Sequence, residues 1–172
     1  AIDGAIVRAA KLFERRLKTD DKIAAAKGRL RADKDGNGAG DADLIIEAVA
    51  EKLAVKQAVF QALEAASKPD AILATNTSAI PLEDIATALK APERLIGLHF
   101  FNPVPVLPLV EVIWSEFSDQ NMVNRGMQFA GRIGKMPIRC KSASGFLVNR
   151  ALLPYIFKAI EAVAAGENAD LI

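Results

Sequence analysis

The chain is poor in the residues that most often carry crosslinks or chemistry. Its 172 residues include one cysteine, one histidine, one tryptophan and one tyrosine. A lone cysteine, Cys140, excludes an internal disulfide and a cysteine-based metal cluster, and it suits a reducing compartment. No metal site is expected. Charge of one sign is missing too. Lys and Arg number 22 against 21 Asp and Glu, a net charge of +1, so nothing global draws the chain to nucleic acid or a membrane. No apolar run approaches the ~18 residues needed to span a bilayer. Asp3 and Arg8 interrupt any secretory pattern at the start. The expected location is cytoplasmic, as in bacteria, with mitochondrial or peroxisomal locations left open. Hydrophobic residues at 51% and charged residues at 25% are ordinary for a globular protein. Neither the start, AIDGAI, nor the end, ENADLI, looks like the natural edge of a domain, so the chain is expected to be a fragment.

Ile6, Ala10, Phe13 and Leu17 follow helical spacing, and a second helical stretch runs near Ile23, Ala26 and Leu30. Residues 8 to 34 hold ten Lys or Arg against four Asp or Glu, the pattern of a solvated basic face. Residues 33 to 41, DKDGNGAGD, fail as a calcium loop because Leu44 stands where the bidentate carboxylate belongs. They fail as a dinucleotide fingerprint because Asp41 replaces the third glycine and a strand follows instead of preceding. The stretch reads as a turn. Beyond it, strands at 44–49, 71–75, 95–100, 109–114 and 136–140 alternate with helices. These are 53–66, with Val55, Val59, Leu63 and Ala66 on one face, one opened by Pro81 as a first-turn proline, and 120–133 closed by Gly134. This alternation predicts an α/β sheet covered by helices. After Lys141 the texture changes, and residues 144–166 read as one long apolar helix that begins a second, helical domain.

The most informative stretch is residues 94–114, RLIGLHFFNPVPVLPLVEVIW. The only histidine, His99, lies in one apolar run, and Glu111 lies in another twelve residues later. A connector with Pro103, Pro105 and Pro108 separates them. A charge in an apolar run is costly without a partner, so the two are expected side by side. A satisfied core histidine and a strand-edge glutamate are the plainer alternative. Ligands of open α/β sheets bind beyond the carboxyl ends of the strands. Glu51, Asn76, Ser78 and His99 fall at those ends, and Asn149 near the last helix can reach the same cleft. Asn76 and Ser78 also suit turn or capping roles, Glu51 and Lys56 an exposed helix-surface pair, and Asn149 a solvent-facing position.

Residues 47–56 (EAVAEKLAVK), 76–81 (NTSAIP), 97–112 (GLHFFNPVPVLPLVEV) and 144–150 (SGFLVNR) resemble, in order and spacing, the signatures of the 3-hydroxyacyl-CoA dehydrogenase family. The resemblance implies a Rossmann-type sheet that binds NAD, truncated here by loss of its first βαβ unit. Residues 1–141 would be that partial domain and 142–172 the first helix of an all-α C-terminal domain for substrate and dimerisation. It implies oxidation of an L-3-hydroxyacyl-CoA to a 3-ketoacyl-CoA in fatty-acid β-oxidation. By position, His99 matches the catalytic base and Glu111 its partner. Ser78 and Asn149 match groups at the substrate oxygen, and Glu51, Lys56 and Asn76 match positions near the nicotinamide. The partner would be an acyl-CoA, with a homodimer or larger β-oxidation complex in the intact protein. This chain alone is expected to be inactive for want of the glycine-rich loop. The alternatives are a catalytically silent structural or interaction domain of the same fold, or a 3-hydroxybutyryl-CoA dehydrogenase working reductively. The short segment before residue 44 leans toward a multifunctional bacterial parent. Acyl length, direction and NAD against NADP stay open.

Overall fold

The computed structural model describes residues 2–169, which fall into two units divided between residues 40 and 41. The first unit holds α1 (Ile2–Arg16) and α2 (Asp20–Gly28), followed by a 3-10 turn at Asn37–Gly40. Ion pairs Lys27–Glu14 at 2.7 Å and Lys34–Asp3 at 2.9 Å join side chains that remain largely exposed, and such pairs contribute little. The DKDGNGAG stretch is a turn, as the sequence indicates. Asp33 accepts hydrogen bonds from the amides of Asn37 (3.1 Å) and Gly38 (2.7 Å).

The second unit is a five-stranded sheet of β1 (Leu44–Glu47), β2 (Ile72–Thr75), β3 (Leu95–Phe100), β4 (Leu109–Trp114) and β5 (Met136–Lys141), in that spatial order. Every pairing is parallel except β3 with β4. Helices α3 (Leu53–Ala66), α4 (Leu82–Ala86), α5 (Gln120–Arg132) and α6 (Val148–Ala164) follow the strands. The central strands β2 to β4 are short apolar runs because both faces of the sheet are covered there, whereas the edge strand β5 (MPIRCK) is largely exposed. One face packs Leu73, Leu95 and Ile113 with Phe60, Leu82, Ile85 and Phe146. The other packs Ile72, Ile96, Leu98 and Val112 with Val123 and Ala130. Alternate residues of each strand serve opposite layers. Gly126 lets α5 approach closely, since a Cβ there would lie 2.5 Å from Ile96 Cδ1. Asp119 caps α5 by accepting from the amides of Asn121 and Met122.

Four expectations need correction. β1 ends at Glu47 rather than 49, because the Glu47 carboxylate folds back onto the Val49 amide at 2.6 Å. The buried residues of α3 are Lys56 and Phe60, with Val55 and Ala66 exposed. Apolar spacing alone missed this because the central buried side chain is a lysine. Pro81 is the cap residue before α4 rather than its first turn, with ψ of 143°. Residues 144–147 are a turn, not helix, because Gly145 (φ +74°) and Phe146 (φ +48°) lie in the left-handed region. Among the described residues no helix is long and apolar enough to cross a membrane.

Candidate active site

β3 and β4 run antiparallel, and their register sets His99 directly opposite Glu111. Directly opposed residues share one face with their side chains adjacent. That register delivers an imidazole and a carboxylate to the same spot. His99 Nδ1 lies 2.6 Å from Glu111 Oε2, and both side chains are buried. An ionised carboxylate only accepts, so the imidazole faces Glu111 with a proton on Nδ1, and in the neutral tautomer with that arrangement Nε2 has the lone pair. Glu111 Oε1 accepts from two successive amides, Leu147 (2.9 Å) and Val148 (2.8 Å), at the start of α6. The left-handed pair Gly145–Phe146 turns those amides toward the carboxylate. Phe146 is itself buried, and its ring lies 5.8 Å from the His99 ring, with Phe101 at 4.4 Å on centroids. Each carboxylate oxygen thus has a task, and the imidazole is held by hydrogen bond and by packing.

The remaining residues named from sequence gather at the carboxyl ends of β1 to β3. Ser78 donates its amide to Glu51 Oε1 at 3.0 Å, and its carbonyl accepts from Asn149 Nδ2 at 3.1 Å. Asn149, at the start of α6, is thus tied to the loop after β2. Asn76 Oδ1 accepts the Phe100 amide at 2.9 Å, which clips that loop to the end of β3. Lys56 is not an exposed partner of Glu51. Its side chain is 1% exposed, and its Nζ lies 2.8 Å from Glu47 and 3.3 Å from Glu51.

Sequence reading passed over four contributors. Glu47 is buried and accepts from Lys56, Thr75 and the Val49 amide. Thr77 is buried and donates its hydroxyl to Glu51. The two amides that hold Glu111 carry no side-chain signal at all. Glu47 had a signal: like Glu111, it is a carboxylate attached to an apolar run, though it closes its strand where Glu111 lies inside one.

The electrostatics follow from these contacts. Burial raises the Glu51 pKa, but hydrogen bonds from Thr77 and Ser78 and the Lys56 charge outweigh it and hold the carboxyl below its ordinary value. Cys140 on β5 is pushed up to about 11 by burial and by the negative charge of Glu111, partly offset by the Leu147 amide. That thiol is a poor nucleophile.

Glu51 offers a half-exposed acceptor carboxylate, and the exposed Ser78 lies next to it. The glycines at 36–40 do not supply a phosphate cradle, because Asp33 already occupies the amides of Asn37 and Gly38.

A Rossmann-like α/β sheet carrying a buried histidine–carboxylate pair is the architecture of a dinucleotide-binding domain. Residues 1–143 match the 3-hydroxyacyl-CoA dehydrogenase NAD-binding domain. The chain belongs to that family of NAD-dependent oxidoreductases. It is 46% identical over 150 residues to a 3-hydroxybutyryl-CoA dehydrogenase of Mycobacterium tuberculosis H37Rv, covering 86% of this chain and 52% of that one. It is 42% identical over 170 residues to the fatty acid oxidation complex subunit alpha of Pseudomonas entomophila, covering 96% of this chain and 24% of that protein. The crystal structure of M. tuberculosis FadB2 superposes with a TM-score of 0.90 at 43% identity, covering 96% of this chain and 60% of that one. The chain therefore spans about half the length of the 3-hydroxybutyryl-CoA dehydrogenase it matches, 52%.

Proposed function

We propose that the whole protein oxidises an L-3-hydroxyacyl-CoA to the 3-ketoacyl-CoA in fatty-acid β-oxidation, with His99 as general base. The observation that carries this reading is the buried His99–Glu111 pair at 2.6 Å, with the second Glu111 oxygen fixed by two backbone amides. The chemistry NAD supplies when bound is acceptance of the C3 hydride. The hydroxyl proton must leave at the same time, and His99 Nε2 takes it. Glu111 keeps the proton of the neutral imidazole on Nδ1 and stabilises the imidazolium that forms, as the carboxylate of a Ser-His-Asp triad does. The Ser78 hydroxyl donates to the C3 oxygen, and Asn149 holds the Ser78 loop while helping to fix that oxygen. Glu51, Lys56 and Asn76 serve the nicotinamide end.

Residues 1–141 act as the partial cofactor domain, and 142–172 begin the helical substrate and dimerisation domain. Support comes from α6, which buries no residue within this chain and exposes Leu152, Phe157 and Ile160. The intact protein forms a homodimer or joins a larger β-oxidation complex in the cytoplasm. The second reading is a short-chain 3-hydroxybutyryl-CoA substrate used in the reductive direction; the substrate, though not the direction, is favoured by the name of the relative at 46% identity.

The test is His99→Gln in the full-length enzyme. It should lower kcat by ~10²–10⁴-fold with little change in NAD affinity. Near-normal turnover would remove His99 from the role of base.

A further inference from the structure

We propose that Glu47 is a positioning residue for the cofactor-facing rim, holding Lys56 where its ammonium fixes Glu51 and, through Glu51, the 76–78 loop. The proposal rests on the reading that a nicotinamide dinucleotide meets this rim.

Glu47 closes β1 with its side chain at 0% exposure. Its Oε1 accepts from Lys56 Nζ at 2.8 Å and the Val49 amide at 2.6 Å. Its Oε2 accepts from Lys56 at 3.1 Å and from Thr75 Oγ1 at 2.8 Å. Both oxygens are filled, so the carboxylate has a single orientation. The Lys56 ammonium is correspondingly fixed and reaches on to the Val49 carbonyl at 3.5 Å and to Glu51 Oε2 at 3.3 Å. Glu51 spends its other oxygen on the Thr77 hydroxyl and the Ser78 amide. Thr77 in turn accepts from the Ile80 amide at 3.0 Å, which sets the turn into α4. The chain of contacts ends where the Ser78 carbonyl takes Asn149 from α6.

Two features separate this cluster from a merely stabilising ion pair. A buried ion pair often gives no more stability than two apolar residues of similar volume, so stability alone does not account for three charges here. What an apolar pair cannot supply is a fixed positive charge beneath Glu51. The exposures are also graded: the Lys56 side chain is 1% exposed and that of Glu51 44%. Lys56 thus has no surface of its own for a ligand, and its influence on the cofactor end passes through Glu51. Glu47 is the group that makes a buried lysine tenable there.

The experiment uses the double variant Glu47→Leu/Lys56→Met, which removes both charges at similar volume, and the milder Glu47→Asp. Hydrogen exchange of the Ser78 amide, measured without cofactor, reports the Glu51 hydrogen bond directly. In the double variant it should accelerate about 10-fold or more while the amides of β3 keep their protection. In the full-length enzyme the KM for NAD should rise about 10–100-fold, the span of one hydrogen bond to a charged group, and by more than kcat changes. Glu47→Asp, which only withdraws the carboxylate by one methylene, should give an intermediate acceleration. It decides the matter if the double variant does not fold. Ser78 exchange unchanged in either folded variant overturns the proposal. Altered exchange with an unmoved KM for NAD overturns its cofactor side. Turnover by His99→Gln bears only on the proposed reaction, because Ser78 exchange requires neither substrate nor base.

Discussion

Replacing Glu111 with Gln tests the candidate dyad at the level of a single proton. One oxygen of Glu111 accepts two amides and the other faces His99 Nδ1. Glutamine has one acceptor oxygen and one donor amide, so it cannot serve both sides. If the oxygen stays with the Leu147 and Val148 amides, the side-chain NH2 points at Nδ1. Nδ1 must then become the acceptor, and the imidazole proton moves to Nε2. The reverse orientation keeps the Nδ1–H but sets two backbone donors against an NH2. Leaving two part-buried donors unpaired costs ~1 kcal/mol each, the low end for an unpaired donor, ~2 kcal/mol together. That energy favours the switched tautomer by roughly 30-fold, at a factor of ten per ~1.4 kcal/mol. A base whose Nε2 already carries a proton cannot take another, so kcat should fall ~10²–10⁴-fold. The assay is direct because the chain has a single histidine. The 15N shifts of one imidazole show which nitrogen is protonated, with no assignment problem. The reasoning is refuted if the Glu111→Gln protein is folded and its imidazole still carries the proton on Nδ1.

The Cys140 thiol, pushed from 9.0 to about 11, should react with iodoacetamide at pH 8 about 100-fold more slowly than an unperturbed thiol, from thiolate fraction alone. Its rate should climb with pH well past 9; a plateau near pH 9 would contradict the influence of burial and Glu111. The same shift makes folding less favourable as pH rises from 9 toward 11, because the unfolded thiol ionises first. Gly126→Val forces a side chain to within 2.5 Å of Ile96 Cδ1 and should destabilise the fold by ~1–3 kcal/mol through overpacking, read as a lower denaturant midpoint. The 172-residue chain should bind NAD too weakly to measure in the micromolar range, since Asp33 fills the glycine-containing turn that precedes β1 in sequence. Calorimetry showing tight binding would overturn that view.

Much of the site was legible because charge inside apolar sequence is expensive. His99 and Glu111 stood out on that ground, and the prolines between them allowed a reversal of direction. The same rule could have flagged Glu47, which closes the run LIIE, and its partner nine residues on. Helical spacing instead assigns the inner face of α3 to valines and puts Lys56 outside. Periodicity counts a lysine as polar, and only a buried counter-charge turns it inward. Residues 144–147 read as helix from their apolar composition, and nothing in composition reports two successive left-handed residues.

The sequence by itself determined the layered α/β class, the approximate strands and helices, and the residue types available for proton transfer. Local spacing and burial cost are properties of the chain alone, so these could be read from it. The tertiary structure alone decided the pairing register that sets His99 opposite Glu111, the backbone amides that hold the carboxylate's second oxygen, and the depth of Lys56 beneath Glu51. Those depend on how elements distant in sequence meet. Backbone donors are common to nearly every residue, so their use at one carboxylate leaves no mark in the order of the side chains.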